Sequence, residues 1–156
     1  MSALAFCSSI LFLTPTTSAT RPHFECLAVV KADNPGAACE IHYRYHQGEP
    51  SNVEIEREAA NLFRGVIPTG LSVVVYCWRQ RASGTEFHAR YMLTERGGIG
   101  VDAGFSAEGR HQTTDMHLMS FDLSQEKVHS FSRNATDSEL VEPVLRITSD
   151  GKVERC

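Results

Sequence analysis

From Cys39 to Tyr45 the chain alternates strictly. Cys39, Ile41, Tyr43 and Tyr45 fall on one face, and Glu40, His42, Arg44 and His46 on the other. A period of two predicts a strand with one dry and one polar side. After a turn at Gln47–Pro50 the period lengthens. Ser51-x-x-Glu54 is a capping box, and Ile55, Ala59, Leu62, Phe63 and Val66 follow at helical spacing, so a helix is expected up to Pro68. Leu71–Trp78 is apolar on both faces, as a central strand covered on each side would be.

Further strands are expected at Phe87–Thr94, at Ile99–Ala103 after a Gly97-Gly98 turn, and at Thr114–Met119, with a loop at Gly104–Gln112. Asp122-x-x-Gln125 is a candidate cap for a helix reaching about Ser132. Val144–Ser149 and Lys152–Arg155 flank Asp150-Gly151, a strong hairpin signal. Near the N-terminus, Thr20 is a candidate cap for a short helix through Phe24, Leu27, Ala28 and Val30, closed by Asn34-Pro35-Gly36.

The resulting order is β-α-β-α-β-β-β-β-α-ββ. Alternation in the first half implies crossover helices and a parallel sheet, and the second half implies an antiparallel meander. The expected class is α/β, becoming α+β in the second half, in a single domain spanning 1–156. The length of 156 residues and a composition of 42% hydrophobic and 22% charged residues fit one globular domain with a real core. A net charge of −4 argues against a surface built for bulk nucleic-acid binding, although a local basic site is compatible with it.

The apolar stretch Ala3–Leu13 reads in two ways. Ser9–Thr14 fits a short buried strand stopped by Pro15. Alternatively, residues 1–19 form a signal peptide ending at Thr17-Ser18-Ala19, although no basic residue precedes Arg21. The first reading puts the protein in the cytoplasm. The second makes it secreted and turns Asn134-Ala135-Thr136 into a glycosylation sequon. Cys7, Cys26, Cys39, Cys77 and Cys156 show no C-x-x-C pair, so the expectation is buried free thiols, an exposed Cys156 and no metal site.

Candidate chemistry concentrates in Phe87–Gly98. On a strand, His88 and Arg90 point the same way about 7 Å apart, with Glu95 close by. A guanidinium donates paired N–H groups to phosphate oxygens, and an imidazole can donate, accept or attack. His42 and Arg44 repeat the pattern on the earlier strand, with His46 beyond them. The four residues His88, Arg90, His42 and Arg44 are expected to line one anion-binding pocket, with Tyr76 and Trp78 as core or pocket wall. His117 and His129 read as surface residues.

His88-x-Arg90-x4-Glu95 resembles the H-x-K-x4-D signature of the phospholipase D superfamily. The run HARYMLTERGGIGVDAGF, with TTDMHLM after it, is similar to the phospholipase D-like domain found C-terminal to MIT domains and in bacterial relatives. The similarity runs from about Ile10 to Val153. It implies a sheet flanked by helices. It also implies that His88 matches the nucleophile that forms a phosphohistidine in catalytic members, with Arg90 at the phosphate-clamping lysine and Glu95 at the aspartate. The family's downstream Gly-Ser…Asn element is not matched. Gly104 is followed by Phe105, and only Thr113, Thr114 and Asp115 offer polar groups there.

The family's MIT-associated branch binds phosphoinositide-bearing membranes without catalysis. The resemblance therefore implies a phosphate-binding domain for a lipid head group or nucleic acid, with peripheral membrane contact and no cofactor. One alternative is a metal-independent phosphodiesterase. With a single motif copy it needs a homodimer, or a second acid such as His42 or His111 from the same chain. Another alternative is a non-catalytic sensor module of a bacterial multi-domain system.

Overall fold

The computed structural model describes residues 3–8, 38–45, 51–82, 90–94, 96–101 and 115–156. The strand expected at Ser9–Thr14, the helix after Thr20 and the Gly104–Gln112 loop lie outside them. Eight strands are described: β1 (Ala3–Ser8), β2 (Ala38–Arg44), β3 (Ser72–Gln80), β4 (Arg90–Thr94), β5 (Gly97–Val101), β6 (Met116–Met119), β7 (Ser138–Thr148) and β8 (Val153–Arg155). Two helices accompany them, α1 (Asn52–Phe63) and α2 (Phe121–Ser130).

All eight strands form one sheet in the order β6-β5-β4-β1-β2-β3-β7-β8. The pairs β1–β2 and β2–β3 are parallel, and every other pair is antiparallel. The fold is a mixed sheet of the α+β class; the strands of the chain's first half, β1–β3, are parallel as expected, and they lie at its centre. An apolar N-terminal strand is present, but at Ala3–Ser8. It joins two halves, pairing with β2 on one side and with β4 on the other.

Helix α1 begins as its capping box predicts, with the Glu54 carboxylate accepting the Ser51 N–H at 2.7 Å. It lays Ile55, Ala59 and Phe63 on Cys39, Ile41, Val73, Val75, Leu145 and Ile147, and all of these are buried. Leu62 is described by its backbone only. Each of those aliphatic side chains contributes roughly 2 kcal/mol by leaving water. The helix stops at Phe63, before Pro68, because Gly65 at φ 75° supplies the left-handed turn that ends it. Helix α2 covers the opposite face, over β4 and β5. Its cap is Ser120, whose hydroxyl accepts the Leu123 N–H at 3.3 Å, and Asp122 lies inside the helix.

The expected Gly97-Gly98 turn is instead the start of β5, because Thr94 pairs with Gly97 across the hairpin. Strand β7 begins six residues before the expected Val144 and runs through the cis Glu142–Pro143 bond. A bulge accommodates the proline. Val75 pairs with Leu145 and Cys77 with Val141, so Tyr76 alone stands against Glu142, Pro143 and Val144.

A bulge frees backbone groups that must find other partners. Asn52, fully buried at the start of α1, donates its amide to Pro143 O at 2.6 Å and Val75 O at 3.4 Å. Its own oxygen accepts the Tyr43 hydroxyl at 2.8 Å. The Val144 N–H goes to the Glu142 carboxylate, and the Val144 carbonyl accepts from Cys156 N. One side chain thereby ties α1 to β2, β3 and β7.

Asn52→Ala should lower unfolding free energy by about 3 kcal/mol, because it orphans two buried carbonyls and a hydroxyl; urea denaturation measures this. Gly151, in the β7–β8 turn, combines φ 82° with a Cβ direction that meets Ala60 Cα at 2.9 Å, whereas Gly65 at φ 75° faces open space. Both Gly→Ala variants should pay about 1–2 kcal/mol for the left-handed backbone. Only Gly151→Ala should lose more than that, and paired thermal melts give the difference.

Candidate functional site

On the face that α2 covers, β2 and β3 carry a stack of rings. His42 sits opposite Tyr76 in register, and Arg44 opposite Trp78. The His42 ring lies 4.6 Å from Tyr76 at 10° and 6.0 Å from Trp78 at 9°, so the three planes are nearly parallel. Phe131, just past α2, closes over them, 5.4 Å from His42 and edge-on to Trp78 at 6.2 Å.

The hydrogen bonds fix what the imidazole does. Trp78 Nε1–H donates to His42 Nδ1 at 3.0 Å. An indole nitrogen only donates, so Nδ1 must offer its lone pair and the ring proton sits on Nε2. That Nε2–H points at Glu40 Oε2, 3.2 Å away, while Glu40 Oε1 accepts the Tyr76 hydroxyl at 3.5 Å. Burial pushes the Tyr76 hydroxyl above its ordinary value of 10.0, and the Glu40 carboxylate beside it adds to the shift.

This corrects the expected role of His42. It is 4% exposed, with both ring nitrogens engaged inside the protein, so it lines no open anion pocket. The strand register also divides the expected set. Cys7 pairs with both His42 and Tyr91, which puts those positions on one face of the sheet and the position of Arg90 on the other. Arg44 shares the His42 face and is half-buried. His88, Glu95, Thr114, His46 and His111 lie outside the described residues. Asp115 is exposed, ahead of β6 at the sheet's outer edge and roughly 19 Å of strand spacing from β2.

The structure does bring several of these positions to one end of the sheet. Strands β1, β2 and β3 point their carboxyl ends the same way, and Arg44 closes β2 there. Strand β4 runs antiparallel to β1, so it enters at that end with Arg90, which is opposite Val101, itself opposite Met116. Asp115 therefore also stands at that end. In open sheets with parallel strands, ligands bind beyond the carboxyl ends, where groups from both faces can reach.

The expected wall residues Tyr76 and Trp78 are part of the ring stack, and His117 and His129 are exposed as expected. Cys39 and Cys77 are buried thiols, and Cys156 is an exposed one. Among the described residues, no cluster of His, Cys, Asp and Glu has metal-binding geometry, and no helix is long and apolar enough to cross a membrane. The alternation on β2 did not reveal the Glu40–His42–Trp78 chain. The signal that could have done so was the neighbouring strand: if β3 is covered on both faces, the strand beside it is covered as well.

No protein-family model, curated protein or solved structure matches the chain.

Nitrogen-15 spectra of His42 should show the Nε2–H tautomer, with a slowly exchanging Trp78 indole proton. Trp78→Phe should cost about 2 kcal/mol by leaving buried Nδ1 without a donor. Tyr76 should ionise above pH 10 when followed by ultraviolet absorbance. Its proton is held more tightly in the folded state. The stability this confers is therefore complete below the unfolded value and is lost as pH rises through the folded one.

Proposed function

We propose that the chain is a phospholipase D-like domain that binds a phosphorylated ligand, a lipid head group or a nucleic-acid phosphate, without turning it over. The ligand lies beyond the carboxyl ends of β1–β3, where Arg90 and Arg44 supply guanidinium groups from opposite faces. Asp115 stands at the same end, whereas Thr94, at the far end of β4, pairs with Leu4 at the amino end of β1, so the carboxylate end of the motif falls away from this position. The resemblance in Phe87–Gly98 supports this reading, as does a mixed sheet with a helix on each face.

The observation that carries it is the commitment of His42. Two-histidine phosphoryl transfer needs a second imidazole to protonate the leaving group. His42 has one nitrogen occupied by Trp78 and the other directed at Glu40, so it does not serve as that acid. With one motif copy, the chain keeps guanidinium groups for holding a phosphate while His42 is withdrawn from the role of second histidine.

Isothermal titration with a soluble inositol phosphate and with a short oligonucleotide tests the proposal and distinguishes the two ligand sources. Binding should weaken as salt rises. Arg90→Ala and Arg44→Ala should each cost about tenfold in affinity, and Arg90→Lys should cost less than Arg90→Ala, since charge is kept while the paired N–H geometry is lost. Hydrolysis of bis-p-nitrophenyl phosphate that disappears in His88→Ala would instead establish the homodimeric phosphodiesterase. Absence of binding to either probe would leave the non-catalytic sensor module.

A further inference from the structure

Helix α2 has its polarity reversed. Ser124 is its fully buried residue, and Ser124 Oγ and Gln125 Nε2 are buried with no hydrogen-bond partner among the described residues. Its apolar side chains lie outward, with Phe121 56%, Leu123 39% and Val128 37% exposed. A docked helix normally gains by burying carbon and satisfying its polar atoms. Here closure strips water from two polar atoms and leaves the large apolar groups wet.

The firm attachment lies just beyond the helix. Phe131 packs on His42 and edge-on against Trp78. At the other end α2 follows β6 with only Ser120 between them. The helix is thus fixed at its start by the sheet edge and held at its far end by Phe131 and by the Ser138 hydroxyl, which donates to Ser130 O at 3.4 Å.

We infer that α2 is a lid that opens locally from the β4–β5 hairpin while the α1 side of the sheet stays folded, and that opening brings the Glu40–His42–Trp78 chain into contact with solvent. The inference does not depend on which ligand occupies the strand ends. It rests on orphaned polar atoms, outward apolar residues and anchors at the two ends of the helix. Opening rehydrates Ser124 and Gln125 and removes Phe131 from the ring stack. Such an element belongs to the low-stability end of a protein's local unfolding equilibria.

Hydrogen exchange on the full chain, read by mass spectrometry, tests this, with acrylamide quenching of Trp78, the only tryptophan, as the second readout. In the wild type, α2 amides should exchange much faster than those of β3, and Trp78 should be quenched more than its 2% exposure allows. Ser124→Ala should slow α2 exchange about tenfold by removing an unsatisfied hydroxyl, leaving β3 unchanged. Phe131→Ala should speed α2 exchange and increase quenching. Wild-type α2 amides that exchange no faster than those of β3 would overturn the lid, as would Ser124→Ala failing to slow them.

Discussion

A proline inside a long strand removes a ladder donor, and the bulge around it frees carbonyls in the interior. The fold depends on how those groups are answered. Asn52 answers them with a single amide: its two N–H groups reach carbonyls on β3 and β7, and its oxygen takes the Tyr43 hydroxyl of β2. The residue stands at the first position of α1, so the start of the helix, the parallel pair β2–β3 and the antiparallel pair β3–β7 are set by one polar node. The dry packing of Ile55, Ala59 and Phe63 supplies most of the stabilisation. The node sets the register at which that packing is possible, because a buried amide tolerates no slip that leaves it unpaired.

The two faces of the sheet follow different rules. Under α1 the contacts are hydrocarbon, with Asn52 as the polar exception. On the opposite face they include a carboxylate, an imidazole, a phenol and an indole in one chain beneath Phe131, and α2, over β4 and β5, buries serine while exposing phenylalanine. The α1 side thus holds one polar node at Asn52, and the opposite face holds a linked set of rings and a carboxylate. The proposed ligand position at the strand ends is separate from that set, although Arg44 lies only two residues beyond His42. Strand pleating and a single step along β2 separate an imidazole used internally from a guanidinium at the carboxyl end.

Much of the architecture was legible in the chain. The alternation of Cys39–Tyr45, the Ser51–Glu54 box, the two-sided apolar run through Trp78 and the Asp150-Gly151 hairpin each encode a local preference that the tertiary structure keeps. Where the reading departed from the fold, a non-local partner decided the outcome. The expected strand began at Val144, and only the bulge with Asn52, distant in sequence, admits Pro143 into β7. Gly97 and Gly98 signalled a turn, but the register with β4 places them in β5. His42 was legible as a residue opposite Ile41. Its burial comes from Trp78 and Phe131, which a period of two along β2 cannot report. The shared pocket failed for a related reason: residues of equal parity on two strands share a face only if the register between them permits it, and β1 intervenes.

The position of β1 has one more consequence, for assembly of the molecule. Leu4 is bonded on one side to a strand that begins at Ala38 and on the other to Thr94. A ribosome delivers this segment before either neighbour, and the second emerges only after the central parallel strands are made. Until then one edge of β1 stays unsatisfied and adhesive. The seam between the halves must close late, across a large sequence separation, which makes it the slow step that topology imposes on this sheet.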